Sequence, residues 1–227
     1  MIGRGGERVL GVLAVLGLLA GLYAGFVYAP PDAVQGEIQR LMYLHVPLIL
    51  VGYLAFFVVF VTSILYLARR RSTHDALAHA SAEIGVLFTA LAIAAGSIWG
   101  RPTWGTWWTW DARLTTTTIL LLIFLGYLML RALVDDPARG ATFSAVLGII
   151  GFLDVPIIHM SVVWWRTLHQ PASVLRPGPA TVAPAMQVAL YTNLAAFVVL
   201  YGYLLVTRLR LEEARGELTR RRLEETA

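Results

Sequence analysis

The sequence predicts an all-α membrane protein, a bundle of six transmembrane helices. Three observations lead to this fold class. First, 58% of the 227 residues are hydrophobic and only 14% are charged, which is more apolar surface than a soluble core of this size can bury. Second, six separate apolar runs each approach the ~20 residues needed to cross the hydrocarbon layer of a bilayer. Third, arginines cluster in alternate connecting segments, as they do in proteins that cross a membrane several times.

The first apolar run, residues 9–28, follows Arg4 and Arg8 as the core of a signal peptide would. It is long for that role and five further runs follow, so we interpret it as a retained first helix. The other predicted spans are residues 46–68, 80–99, 114–130, 141–160 and 187–206. Asp111 stands at the position expected for the N-cap of the fourth helix.

The distribution of arginine predicts the orientation of the bundle. If both termini are cytoplasmic, thirteen arginines lie in inside segments and five lie outside, which is the arrangement that the positive-inside rule favours. The outside arginines are Arg40, Arg101, Arg113, Arg166 and Arg176. Residues 1–206 then form one membrane domain, and the charged segment 207–227 is a solubilising cytoplasmic helix or tail.

A tryptophan-rich segment lies between the third and fourth spans. Residues 99–111 read WGRPTWGTWWTWD and contain five of the seven tryptophans. Gly100, Pro102 and Gly105 are expected to interrupt the helix, so the segment is predicted to form a short re-entrant or interfacial platform. Because tryptophan prefers the membrane–water boundary, one interpretation is an anchoring belt. Belts distribute their aromatic residues over several helix ends, whereas these share one segment, so a platform for a flat ligand is an equal alternative.

The five histidines divide between the two predicted sides of the membrane. His74 and His79 lie beside the inner arginine cluster and are interpreted as solvated loop residues. His45, His159 and His169 lie on the outer side, with the tryptophans. A single interfacial histidine is usually a hydrogen-bonded structural residue. Two histidines that share a face with a tryptophan platform suggest axial ligands for haem.

A haem site would also need cations for the two propionates. Arg40 precedes His45 by five residues and Arg113 follows Asp111 by two, which makes these two arginines the better placed. Zinc is less favoured, because a closed zinc site usually has four protein ligands and a hydrolytic one has a nearby carboxylate base, although the spacing does not exclude it. Because the chain has no cysteine, haem would be held without thioether bonds.

Two acidic residues lie within predicted spans. Asp154 is in the fifth span, two residues before Pro156, and carboxylates inside a membrane are often functional. Since no neighbouring span offers a basic partner, we favour a hydrogen bond from Asp154 to backbone freed by Pro156. Glu83 lies near the cytoplasmic end of the third span, where it is expected to reach water.

Three motifs, WGRPTWGTWWTWDARLT, YLHVP and DVPIIHMSVVWWRTLHQ, resemble those of the CcmC family of bacterial cytochrome c maturation (system I). The resemblance covers essentially the whole chain, and its WWD motif is shared with a wider haem-handling superfamily. It implies axial ligands at His45 in YLHVP and at His169 in TLHQ. It also implies haem contacts in the WWD region and at one upstream arginine, namely at Trp99, Trp104, Trp107, Trp108, Trp110, Asp111, Arg113 and Arg40. His159 also fits the family pattern without being an expected ligand, and Asp154 stands where some relatives carry asparagine.

The resemblance implies a haem carrier rather than an enzyme. Proteins of this family hold haem b at the outer face of the bacterial inner membrane and pass it to the periplasmic haem chaperone CcmE. They work with the small membrane protein CcmD and the ABC-transporter subunits CcmA and CcmB. We therefore expect haem to be held transiently between His45 and His169, and we expect no nucleic-acid partner. The alternatives are a b-type cytochrome subunit of a quinol-linked membrane oxidoreductase and a transporter that moves haem through the bilayer.

Overall fold

The computed structural model describes residues 3–169 and 181–225, with the side chains of the last helix described as far as Ala214. Within these residues the protein is helical and contains no β-strand. Six helical segments are long and apolar enough to cross a membrane, which confirms the predicted six-span, multi-pass fold. They are Arg4–Tyr28, Glu37–Arg69, Ser72–Trp104, Ala112–Leu133, Pro137–Trp164 and Pro184–Ala214. Arg176, which the sequence assigns to the outer side, is outside the described residues.

The spans are built from α-helices with short connections between them. The helices are α1 (Arg4–Tyr23), α2 (Met42–Arg69), α3 (Ser72–Trp104), α4 (Ala112–Leu133), α5 (Pro137–Phe152), α6 (Asp154–Trp164) and α7 (Pro184–Glu225). A π-helical turn, Ala24–Tyr28, extends α1, and a 3₁₀ turn, Glu37–Leu41, leads into α2. Only Arg70 and Arg71 join α2 to α3, so these two helices form an antiparallel hairpin.

The α2–α3 hairpin is the centre of the bundle. One apolar cluster joins it to α7 and includes Val51, Phe88 and Phe197. A second cluster joins it to α4, where Phe56 stacks on Phe124 with the ring centroids 3.8 Å apart. α4 and α7 thus pack on the same hairpin, and their ends lie beside the ends of α2 and α3 at the two ends of the bundle.

α3 is longer than predicted at the end where the tryptophan-rich segment begins. The predicted interruption at Gly100 and Pro102 is wrong, because the helix continues through both residues to Trp104. Pro102 has no N–H to donate, so it removes one backbone hydrogen bond from the helix, but only two more helical residues follow it. Gly105 ends the helix with a φ of 79°, a left-handed conformation that glycine adopts without strain. The non-helical part of the segment is therefore only residues 105–111.

α3 also begins earlier than predicted. Its first residue is Ser72, so both His74 and His79 lie on the helix. The interpretation of these two histidines as solvated loop residues is therefore wrong. The physical reason is the two-residue connection from α2, which leaves no loop for them to occupy.

The fifth span is interrupted near its own middle. α5 ends at Phe152, α6 begins at Asp154, and Leu153 caps both helices. Pro156 consequently lies in the first turn of α6, where its missing N–H needs no partner. The expected hydrogen bond from Asp154 to freed backbone is absent, and Asp154 Oδ2 is buried without a partner among the described residues.

Charged side chains pair across helices where α3 begins and α4 ends, and we call this the ion-pair end. Arg131 of α4 donates to Asp75 of α3, with Nη2 2.9 Å from Oδ2. Arg208 of α7 donates to Glu83 of α3, with Nη2 3.0 Å from Oε1. His79 Nε2 lies 3.5 Å from the same Glu83 oxygen. Glu83 is thus held by side chains of α3 and α7 rather than by water alone.

α7 continues without a break across the domain boundary predicted at residue 206. Thr207 donates to Glu7 of α1, with Oγ1 3.1 Å from Oε1, and Arg210 forms an ion pair with the same glutamate. The first residues of the charged segment therefore pack against the bundle and connect α7 to α1.

Candidate functional site

A pocket lies at the opposite end of the bundle, and we call this the pocket end. Its enclosed part is small, about 50 Å³ for the centres of water-sized molecules, and the space free of protein atoms is about 580 Å³ when the open solvent at its mouth is counted. It forms between the start of α2, the end of α3, the start of α4 and residues 105–111. Both His45 and His169 line it. Its other side chains include Ile49, Tyr53, Ile93, Trp104, Thr106, Trp107, Trp108, Arg113 and Thr117.

His45 lies in the first turn of α2 and faces α3. Its Nδ1 is 2.8 Å from the backbone oxygen of Ala92. A carbonyl oxygen only accepts hydrogen bonds, so the imidazole donates from Nδ1 and its Nε2 keeps a free lone pair. Trp99 packs edge-on against the ring, with the centroids 5.9 Å apart. The arrangement leaves Nε2 available to a metal centre in the pocket.

His169 lies five residues after the end of α6 and reaches the same pocket. Its Nδ1 is 3.5 Å from Asp111 Oδ2, and its ring meets Trp104 edge-on at a centroid distance of 4.8 Å. Burial lowers the pKa of His169 to about 4, and the positive charge of Arg113 acts in the same direction. Asp111 opposes this shift without cancelling it. The imidazole is therefore neutral at physiological pH, which is the form that binds metals.

Asp111 connects the His169 segment to α4. Its Oδ1 accepts from the backbone N–H of Leu114 at 2.9 Å, which confirms the predicted N-cap. Its Oδ2 accepts from the backbone N–H of Leu168 at 3.1 Å. One carboxylate thus caps a helix, orders the chain next to His169 and lies beside the imidazole itself.

The five tryptophans of the tryptophan-rich segment, residues 99–111, occupy different environments. Trp104, Trp107 and Trp108 line the pocket. Trp107 is 59% exposed, and Trp110, which packs edge-on against Trp108, is 75% exposed. Trp99 lies behind His45, outside the pocket lining, and donates from Nε1 to Gln35 Oε1 at 2.8 Å. The segment therefore combines exposed indoles with one indole that supports the structure.

The two arginines proposed as cations differ in position. Arg113 is half-buried at the pocket, and no carboxylate in the described part of the chain forms an ion pair with it. Arg40 lies outside the pocket lining and donates from Nη1 to the backbone oxygens of Gly25 and Ala29, at 2.7 and 2.8 Å. It also forms an ion pair with Glu37. The π-helical turn after α1 presents these carbonyls, so Arg40 fastens α1 to the start of the second span.

The structure adds residues that sequence reasoning missed. Tyr53 and Thr117 line the deeper part of the pocket. Tyr53 follows His45 by eight residues, a spacing that places both on one face of a helix, so a search along that face would have found it. Gly96 also lines the pocket but carries no side chain that a sequence pattern could identify. His159 is exposed on α6 and is outside the pocket lining.

The fold and the pocket together define a multi-pass membrane protein that presents two imidazoles and several indoles in one pocket. A model of the CcmC family, described as Heme exporter protein C, matches residues 5–224. The chain is 42% identical over 219 residues to Heme exporter protein C of Bradyrhizobium diazoefficiens, which covers 95% of this chain and 81% of that protein. It is 39% identical to the protein of the same name from Haemophilus influenzae and 36% identical to that from Escherichia coli. Each of these matches covers 88% of this chain, with 80% and 81% of those proteins respectively. The chain belongs to the CcmC family.

Proposed function

We propose that this protein holds haem transiently at the outer face of the bacterial inner membrane and passes it to the periplasmic chaperone CcmE for cytochrome c biogenesis. The observation that carries the proposal is the pocket that His45 and His169 share. Membership of a family described as Heme exporter protein C supports the choice of haem as the cargo. The proposed role is that of a carrier, and no residue is assigned to catalysis.

The chemistry of the two histidines suits haem iron. In His45 Nδ1 is hydrogen-bonded to the Ala92 carbonyl, whereas in His169 Nδ1 lies 3.5 Å from the Asp111 carboxylate without a hydrogen bond in the described residues. Metal-binding histidines commonly direct one nitrogen to such an acceptor, which orients the ring and makes the other nitrogen more basic. Two imidazole ligands saturate the iron and suppress oxygen chemistry, which suits a carrier.

The indoles supply the apolar contacts that a porphyrin needs. Trp104, Trp107 and Trp108 line the pocket, and Trp110 extends the aromatic surface beyond it. Covering a few hundred Å² of porphyrin at ~25 cal/mol per Å² contributes several kcal/mol. Because this contribution does not depend on the iron, the cargo stays bound while a group of the chaperone replaces one imidazole. Ligand exchange of this kind is the proposed route of release.

Arg113 is the proposed partner of a haem propionate. It lies at the pocket without an ion pair in the described residues, and guanidinium binds carboxylates strongly. Arg40 is proposed to act indirectly, by holding α1 against the segment that leads to His45. Its guanidinium is already bonded to two backbone oxygens and to Glu37.

The family and the arginine distribution support the proposed orientation and partners. Thirteen of eighteen arginines would be cytoplasmic with the pocket end outside. On this proposal the pocket faces the periplasm, where CcmE takes the haem, and CcmD, CcmA and CcmB complete the complex.

A b-type cytochrome that passes electrons across the membrane is the weaker alternative. Such a protein needs a second haem site near the other membrane surface. Within the described residues, the histidines of the ion-pair end are His74 and His79, and His79 lies between Glu83 and Glu212 rather than at a cavity. In the described part of the chain the histidine-lined pocket lies at one end, and the cavity beside Glu7 and Tyr203 at the other end has no histidine in its lining, which favours a carrier.

The proposal is tested by absorption spectroscopy of haem bound to the purified protein. The wild type should show the six-coordinate spectrum of a bis-histidine haem, and His45→Ala and His169→Ala should each lose it while circular dichroism stays helical. His159→Ala is the matched control, since His159 is exposed on α6, and it should keep the wild-type spectrum. Unchanged spectra in both single variants would show that the ligand assignment is wrong. Transfer of the haem to CcmE, rather than reduction by quinol, separates the carrier from the cytochrome.

A further inference from the structure

The face of α3 behind His45 is shaped to receive an imidazole. Ala92, Gly96 and Trp99 follow one another at spacings of four and three residues, which places them on one face of the helix. The His45 ring contacts all three positions: it bonds to the Ala92 oxygen, lies over Gly96 and meets the edge of Trp99. We call Ala92, Gly96 and Trp99 the imidazole seat.

Gly96 is the part of the seat that cannot carry a side chain. A Cβ at this position would lie 2.8 Å from His45 Cε1 and 3.0 Å from Nδ1, but 3.8 Å from Nε2. Carbon atoms pack at about 3.5–4.0 Å, so the first two contacts are overlaps. They fall on the side of the ring that makes the hydrogen bond to Ala92. Any side chain at position 96 would therefore push the imidazole away from that carbonyl.

A side chain at position 96 would displace the His45 ring rather than the two helices. His45 contacts the seat with the end of its side chain, which turns about χ1 and χ2 at small cost. The backbones of α2 and α3 are held together elsewhere by their own close contacts. A Cβ on Gly52 would lie 2.9 Å from Thr89 Oγ1, and one on Gly85 would lie 2.6 Å from the Phe56 ring. A methyl group at position 96 should consequently displace His45 and leave the bundle folded.

We propose that Gly96 is a positioning residue for His45. By leaving space for the ring, it lets Nδ1 donate to the Ala92 carbonyl, which fixes the tautomer and directs the Nε2 lone pair into the pocket. The inference rests on the proposed function only in naming haem iron as the group that Nε2 binds. The seat itself is a property of the haem-free protein.

The first test measures the tautomer of His45 without haem. Protein labelled with ¹⁵N-histidine is examined by solid-state NMR in bilayers, and the His45 signals are identified by their loss in His45→Gln. The wild type should show a protonated Nδ1 and an unprotonated Nε2. Gly96→Ala should lose this preference, whereas Gly126→Ala should keep it. Gly126 is the matched control, because it is also inside a helix and its added Cβ would meet only Leu147 Cδ2 at 4.0 Å.

The second test measures haem affinity in the same three proteins by absorption titration. Loss of an outer partner of a metal-binding histidine typically costs about 10–100-fold in affinity, so Gly96→Ala should bind at least tenfold more weakly and Gly126→Ala within twofold of the wild type. If Gly96→Ala leaves the His45 tautomer unchanged, the positioning proposal is overturned. If the tautomer changes while haem affinity and spectrum stay those of the wild type, the seat stands and the assignment of His45 as a ligand fails.

Discussion

The two ends of the bundle differ in how their charges are matched. At the ion-pair end, Arg131 and Arg208 each bind a carboxylate of α3. At the pocket end, Arg113 has no ion pair within the described residues. The nearby carboxylate, Asp111, accepts hydrogen bonds from two backbone N–H groups and lies 3.5 Å from the His169 imidazole.

This difference separates two roles of buried polar groups. Charges that are paired within the chain connect α1, α3, α4 and α7, and their loss should be seen as a loss of folding stability. Charges and nitrogen lone pairs that have no partner within the described chain are available to a ligand, and removing them should lower haem affinity. Removal of a charge that is paired within the chain should therefore leave haem affinity unchanged, and removal of an unpaired one should leave folding stability unchanged.

The largest effect on stability is expected from Arg131→Ala. Both side chains of the Arg131–Asp75 pair are only 18% exposed, and removing one partner of such a pair leaves the other charge uncompensated. The free energy of unfolding should fall by about 3 kcal/mol, measured by denaturant unfolding in detergent micelles. Haem affinity of the folded protein should stay unchanged.

The control for this variant is Arg139→Ala. Arg139 pairs with Asp136, but their side chains are 77% and 52% exposed, so the loss should be below about 0.5 kcal/mol. If both variants lost the same free energy of unfolding, the buried Arg131–Asp75 pair would contribute no more than the exposed pair, which would contradict the prediction.

The next effect is expected at the pocket end, from Arg113→Gln. A hydrogen bond to a charged partner contributes about 1.5–3 kcal/mol, so haem should bind about 10–150-fold more weakly in an absorption titration. The free energy of unfolding should change little, because no ion pair within the described chain is lost. Arg166→Gln, at an exposed arginine after α6, is the control for the general loss of positive charge. A similar loss of affinity in both variants would argue against a specific propionate contact.

A smaller effect is expected from Gln35→Ala. The substitution removes the acceptor of the Trp99 indole N–H, and leaving a part-buried donor without its partner should cost about 1 kcal/mol of folding stability. Thermal unfolding measures the loss. Val34→Ala is the control, since Val34 is 94% exposed. An unchanged unfolding midpoint in Gln35→Ala would show that the bond does not help to hold Trp99.

The smallest effects are expected in the pKa of His169, which is measured by NMR titration of the protein without haem. Its pKa should lie near 4 rather than at the usual 6.5. The unfolded chain then binds the proton more readily, so folding stability should decline as the pH falls from about 6.5 towards 4. Asp111→Asn keeps a capping side chain for α4 but removes a negative charge beside the ring, so it should lower the pKa further. Arg113→Gln should raise it, and shifts of the opposite sign would contradict the charge arrangement at the pocket end.

Several features of the site were predictable because they depend on local sequence. The N-cap at Asp111 needed only a carboxylate before an apolar helix. The placement of His45 and His169 at one end of the bundle followed from counting spans. The interruption predicted at Gly100 and Pro102 failed because the loss of one backbone hydrogen bond at Pro102 did not stop the helix, and only Gly105 adopts the left-handed conformation that ends it.

The sequence by itself determined the six spans and the residue types that gather at the pocket end. It could do so because hydrophobic length and charge distribution act along the chain, independently of how helices pack. Only the tertiary structure decided which of those residues share the pocket. In the structure Arg40 donates to carbonyls in and next to the π-helical turn, Trp99 packs behind His45, and Arg113 lines the pocket with the two histidines. These roles depend on which helix faces meet, and the small residues of α2 and α3 set that fit through contacts between distant parts of the chain.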